Sequence, residues 1–191
     1  MAHLPNFLSL FRILLVPVLV TVLFTKFEGR EYVGLLVFLL ASLTDFLDGF
    51  VARRQGRVTR IGKLLDPAAD KILTSAAFIS LVELDLAPAW MVAAIVAREF
   101  AVSTLRSVLA SEEVIVSASI SGKIKTTVQI IAISVLIIKH QLGDFSKVAE
   151  VLLWLALITS IYSGVEYFVR HMPQLVSLWR SDNAACEDED G

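Results

Sequence analysis

Four aspartates stand out by type and spacing: Asp45, Asp48, Asp66 and Asp70. The first two are three residues apart and the last two are four apart, so each pair falls on one face of a helix. Carboxylates crowded in this way repel one another, and some stay protonated unless a counter-charge is present. Divalent cations with oxygen ligands supply that charge. Two such ions can clamp a diphosphate and stabilise both the attacking and the leaving oxygen of a displacement. The residues around the first pair suit the same ligand. Gly49 and Ala52 are small enough to let it approach the helix backbone, and Arg53 carries a guanidinium suited to phosphate oxygens.

These acids have to be held by apolar helices. Of the 191 residues, 56% are hydrophobic, above the 45–50% usual for a soluble domain. The excess is concentrated in six runs, roughly Phe7–Phe24, Val33–Val51, Pro67–Leu84, Trp90–Leu109, Ile120–Ile138 and Val148–Phe168. About 20 apolar helical residues cross a hydrocarbon core, so the expected fold is all-α: a polytopic membrane protein with six transmembrane helices. The runs are too continuous for the alternating strands of a membrane barrel. No cleavable leader is expected, because the first run carries Arg12 and Pro17 and no small-residue cleavage site follows it. The single cysteine, Cys186, excludes an internal disulfide framework and a cysteine metal site.

The charges give an orientation. The segment joining the second and third runs, with its flanks, holds Arg53, Arg54, Arg57, Arg60, Lys63 and Lys71. Arg98, Arg106, Lys123 and Lys125 flank the fourth connection, and Arg12, Arg170 and Arg180 lie near the ends. Thirteen of the 17 Lys and Arg thus fall on one side, which is expected to be cytoplasmic together with both termini. Asp45 and Asp48 then lie near the cytoplasmic end of the second span, and Asp66 and Asp70 at the start of the third. A short connection makes those spans antiparallel neighbours, with both pairs facing a cavity at the cytoplasmic interface. Residues 1–172 form the transmembrane domain, and 173–191 are expected to be a polar, disordered tail.

Written out, the central segment is Asp45-x2-Asp48-Gly49-x2-Ala52-Arg53-x8-Gly62-x3-Asp66-x3-Asp70. It resembles the signature of the CDP-alcohol phosphatidyltransferases at all eight fixed positions. The resemblance implies six spans, a homodimer, a cytoplasm-facing site, and transfer of a phosphatidyl group from a CDP-linked lipid to an alcohol with release of CMP. It further implies that Asp45, Asp48, Asp66 and Asp70 hold divalent metal, two Mg²⁺ or Mn²⁺ ions, and that Asp70 is the general base. By the same resemblance Asp45, Gly49, Ala52 and Arg53 line the CDP site, and Gly62 lets the connecting turn close over the nucleotide.

Three further segments are similar to the branch of that family that makes phosphatidylglycerophosphate: Pro5-Asn6-Phe7-Leu8-Ser9 with Arg12, Arg98-Glu99-Phe100 leading to Leu105-Arg106, and Ser121-Gly122-Lys123-Ile124-Lys125-Thr126 with Gln129. The implied partners are CDP-diacylglycerol, glycerol 3-phosphate and membrane lipids of a bacterial cell membrane, with no nucleic acid. Glycerol 3-phosphate is a small dianion whose phosphate needs cations. Arg98, Arg106, Lys123 and Lys125 are the candidates, with Arg98 and Lys123 favoured as nearest the span ends that face the site. The alternative for each is an interfacial side chain that reaches into the headgroup layer. Glu99 is expected to pair with a neighbouring arginine. Two rival readings are the same family with another acceptor (inositol phosphate, serine or phosphatidylglycerol) and a divalent-cation transporter with an intramembrane carboxylate site.

Overall fold

The computed structural model describes the backbone of residues 4–55, 60–111, 120–143 and 146–189; within the helices, the side chains of 4–9, 45–55, 60–67, 175 and 177–189 lie outside the described set. Six α-helices follow one another: α1 (Leu4–Phe24), α2 (Arg30–Gln55), α3 (Arg60–Glu83), α4 (Ala89–Ser111), α5 (Ile120–Ile137) and α6 (Ser146–Glu189), with a 3-10 turn at Lys139–Gln141 between the last two. Each helix coincides with one of the six apolar runs. No strand occurs among the described residues.

Among the described residues two stretches are long and apolar enough to cross a membrane, Ile120–Ile137 and Ser146–Gln174, and Leu10–Phe24 is a shorter apolar helix. Large apolar side chains cover the outside of the bundle, among them Leu14, Leu36, Ile79, Val151, Ile158 and Val165. A soluble monomer rarely exposes contiguous apolar surface on this scale.

The helices do not pack in simple sequence order. α1 lies against both α2 and α3, α6 lies against both α4 and α5, and α2 and α3 touch each other only over a short stretch. The second and third spans are in contact as expected, and α1 packs against both. Arg12 helps to fix α1. It is fully buried, and its Nε donates to the Ala41 carbonyl on α2 at 3.2 Å. Counting this arginine among the basic residues at the cytoplasmic ends missed that role.

Two other expectations change. α3 begins at Arg60, so Gly62 lies in the first turn of a helix rather than in the connecting turn. α6 runs through Pro173 to Glu189, so the described backbone of residues 173–189 is helical. Pro173 removes one helical N–H donor, but neither glycine nor a second proline follows until Gly191, and α6 continues.

The main apolar core is built from Leu19 and Leu23 of α1, Phe38 of α2, Phe78 and Leu81 of α3, Ile95 of α4, Ile133 and Leu136 of α5 and Leu153 of α6. A smaller cluster, Val102, Leu105, Leu109 and Tyr167, joins α4 to α6 further along. Between the two clusters α4 carries Arg98 and Glu99, and a layer of buried polar side chains replaces the apolar core.

Candidate active site

Glu99 is the centre of this layer. It is buried on α4, and its Oε1 accepts from Arg98 Nη1 at 3.0 Å and from Gln129 Nε2 at 3.4 Å, and is paired with Lys125 Nζ. Lys125 and Gln129 are four apart on α5, so one face of that helix presents both to the same carboxylate. The Arg98 guanidinium continues the network to α6, where Nη2 donates to Ser163 Oγ at 2.8 Å. The arginine stem lies over Gly164. A Cβ at that position would sit 2.9 Å from Arg98 Cγ and 3.0 Å from its Nε, closer than real Cβ contacts come. Glycine is therefore what lets the arginine lie against the α6 backbone.

On α3, Asp70 is half-buried, and its charge acts on its neighbour Lys71 and, as a minor contribution, on Lys125. Lys71 interacts in turn with Glu99, Arg98 and Arg106. Thr74, one turn further along α3, donates from Oγ1 to the Asp70 carbonyl at 3.0 Å. Four helices thus bring one carboxylate of the aspartate motif and several cations to one level of the bundle.

The cations proposed from the sequence separate into groups. Arg98 and Lys125 meet at Glu99. Lys123 is exposed, because a displacement of two residues turns a side chain through about 200° around a helix. Arg106 is exposed as well, and its guanidinium carbon lies 5.7 Å from the centroid of the Tyr167 ring. That ring stacks on His171 at 4.4 Å, and His171 Nδ1 lies 2.9 Å from the Tyr167 carbonyl.

Asp45, Asp48, Gly49, Ala52 and Arg53 lie in α2, and Gly62 and Asp66 in α3. Their side chains lie outside the described set, as does the cavity expected among them. A cavity of about 350 Å³ occurs at the opposite end of the bundle, lined by Asp85, Pro88, Lys139, Glu150 and Trp154 among others, and it takes in none of the site residues predicted from the sequence.

The sequence reading did not single out Ser160, Ser163, Gly164 or Tyr167. They form an inward stripe on α6 in which Ser160 Oγ and the Tyr167 hydroxyl are buried with no hydrogen-bond partner among the described residues. The available signal was a run of small and polar residues at helical spacing within an otherwise apolar helix.

Residues 2–162 match the family model described as CDP-alcohol phosphatidyltransferase. A Bacillus subtilis (strain 168) protein named CDP-diacylglycerol--glycerol-3-phosphate 3-phosphatidyltransferase is 44% identical over 190 residues, covering 92% of this chain and 98% of its own. Proteins with the same name from Rickettsia typhi and Haemophilus influenzae are 39% identical over 171 residues and 34% identical over 170. The first alignment covers 88% of this chain and 96% of the relative, and the second 86% and 91%.

Proposed function

The chain belongs to the CDP-alcohol phosphatidyltransferase family, and from that membership we propose that it transfers the phosphatidyl group of CDP-diacylglycerol to glycerol 3-phosphate, giving phosphatidylglycerophosphate and CMP. The observation that supports a phosphate-bearing acceptor is the convergence of Arg98 and Lys125 from two helices on Glu99. Glycerol 3-phosphate brings a phosphate with about two negative charges near neutral pH, and an arginine can hold such a group through two parallel hydrogen bonds. Serine offers this pair no phosphate.

The acceptor hydroxyl attacks the phosphorus that carries the diacylglycerol, and the bond to CMP breaks. Asp70 receives the proton from that hydroxyl. Arg98 and Lys125 orient the acceptor phosphate, with Arg106 nearer the bundle surface. Gly49, Ala52 and Arg53, together with Gly62, line the CDP portion.

Asp45, Asp48, Asp66 and Asp70 would hold divalent metal. Their donor set is all hard carboxylate oxygen, the kind that takes Mg²⁺ or Mn²⁺, and it lies on two helices that touch each other. When bound, two such ions would offset the charge of the diphosphate.

The six helices are read as six spans in a bacterial cell membrane, with the aspartate end and both termini cytoplasmic and with two copies forming a homodimer. The apolar exterior around a buried polar layer supports the membrane reading, since polar side chains within spans face the bundle interior. The lipid tails of the substrate can then stay in the bilayer while its headgroup reaches the aspartates.

The test is release of CMP by the purified protein from CDP-diacylglycerol, with glycerol 3-phosphate, inositol phosphate, serine and phosphatidylglycerol offered in turn. Release with glycerol 3-phosphate alone is expected. A preference for another alcohol would reassign the acceptor within the family, and divalent-cation flux without CMP release would favour a transporter.

A further inference from the structure

We infer that Glu99 is a positioning residue for the acceptor phosphate, fixing Arg98 and Lys125 as a pair, and that Gly164 is the socket that lets Arg98 take part. The inference rests on the proposed phosphate-bearing acceptor and goes beyond it by naming residues that touch no substrate.

Two buried cations this close repel each other. A single carboxylate oxygen between them offsets that repulsion and sets their separation. Glu99 Oε1 does this across two helices, with Gln129 as a third donor. The arrangement leaves hydrogen-bonding capacity unused. A guanidinium and an ammonium carry more N–H groups than the ones engaged by Glu99 and Ser163, and Arg98 Nε has no partner among the described residues. A phosphate arriving beside the pair meets donors already oriented, at no cost in side-chain ordering.

The second support comes from α6. Position 164 is glycine inside a long helix, where alanine is the better helix former. The virtual Cβ contacts with the Arg98 stem give the reason for glycine here. Ser163, the preceding residue, fixes the far end of the same guanidinium.

The experiment is a two-substrate kinetic matrix on the parent enzyme, Glu99→Gln, Glu99→Asp and Gly164→Ala, with thermal unfolding midpoints in detergent. Glu99→Gln keeps the shape and loses the charge; it is expected to raise KM for glycerol 3-phosphate tenfold or more while KM for CDP-diacylglycerol moves less than about twofold. Glu99→Asp keeps the charge on a shorter stem and should recover part of the loss. Gly164→Ala should show the same acceptor-selective rise, because the added methyl displaces the Arg98 stem, and its unfolding midpoint reads how much of the effect is lost packing. A rise in both KM values together, or no change in either, would overturn the inference and leave Glu99 as a helix-packing ion pair. The parent enzyme separates this from the acceptor assignment. If it prefers inositol phosphate, the same matrix with that phosphate tests Glu99 unchanged. If its acceptor carries no phosphate, both readings fall.

Discussion

Arg98 on α4 donates through Nη2 to Ser163 Oγ on α6 at 2.8 Å, across 65 residues of sequence. With Glu99 on its other side, the guanidinium is held at two points and cannot swing to the headgroup layer as an interfacial arginine would.

Replacing Arg98 therefore has a selective cost. Loss of a charged hydrogen-bond partner costs about 1.5–3 kcal/mol, roughly ten- to a hundredfold. Arg98→Ala should raise KM for glycerol 3-phosphate by about that factor and leave KM for CDP-diacylglycerol much less changed. Arg98→Lys should rescue poorly, because a single ammonium lacks the planar fork that reaches Glu99 and Ser163 together. Equal changes in both KM values would mean that Arg98 serves the diphosphate or the fold.

The aspartates should differ in what they lose. Asp70→Asn removes the proposed proton acceptor, so turnover should fall by a larger factor than affinity for CDP-diacylglycerol. Asp48→Asn removes charge from a proposed metal ligand, so metal and CDP-lipid binding should both weaken. Near-parental turnover in Asp70→Asn would end its assignment as the base.

Chelation tests the carboxylate cluster as a whole. Excess EDTA should abolish CMP release, and Mg²⁺ or Mn²⁺ should restore it. Full turnover in protein shown by elemental analysis to be metal-free would remove the cation clamp from the proposal.

The two lysines of α5 should separate. Lys125 is buried against Glu99 and Lys123 is exposed, so Lys125→Ala should raise KM for glycerol 3-phosphate several-fold more than Lys123→Ala does. Equal effects, or a larger one at Lys123, would place the acceptor phosphate outside the Glu99 layer.

This pair also shows where sequence reasoning stopped. The six helices were legible because an apolar run of span length is a local property. The place of α1 was not: a short connection makes α2 and α3 neighbours, but nothing local says that α1 packs against both. Favouring Lys123 over Lys125 came from nearness to a span end, which leaves open the face of α5 that looks inward. The stripe Lys125, Gln129, Ala132, Ile133 and Leu136, all buried, carries that information at helical spacing. Glu99 was read correctly as a partner for arginine. The other members of the network, Lys125 and Ser163, come from distant helices, and no local pattern in the sequence joins them.

Membrane orientation is the last point open to direct measurement. Arg60 opens α3 and the α3–α4 turn follows its other end, so the two should lie toward opposite faces of the membrane. The turn is well suited to a probe. α3 closes with the Leu86 N–H bonded to the Leu81 carbonyl at 2.9 Å and the Asp85 N–H to the Val82 carbonyl at 3.0 Å, and Asp85 takes the left-handed conformation at φ 57°. Glycine usually occupies that position in such a helix ending. Asp85 is exposed, and Trp90 and Trp154 meet edge to face nearby at 5.7 Å, as tryptophans do in the aromatic belt at a membrane surface. Cys186 is the chain's single cysteine, so Cys186→Ser gives a background in which Asp85→Cys can be labelled alone. Asp85→Cys replaces a residue that tolerates the left-handed conformation with one less suited to it, and the double variant must first show parental CMP release. A membrane-impermeant maleimide added to intact spheroplasts should then label the thiol introduced at position 85, and the parent's Cys186 should react only after the membrane is opened. Labelling of Cys186 from outside, with the introduced thiol protected until lysis, would invert the orientation and put the aspartates on the wrong face for a cytoplasmic nucleotide-lipid site.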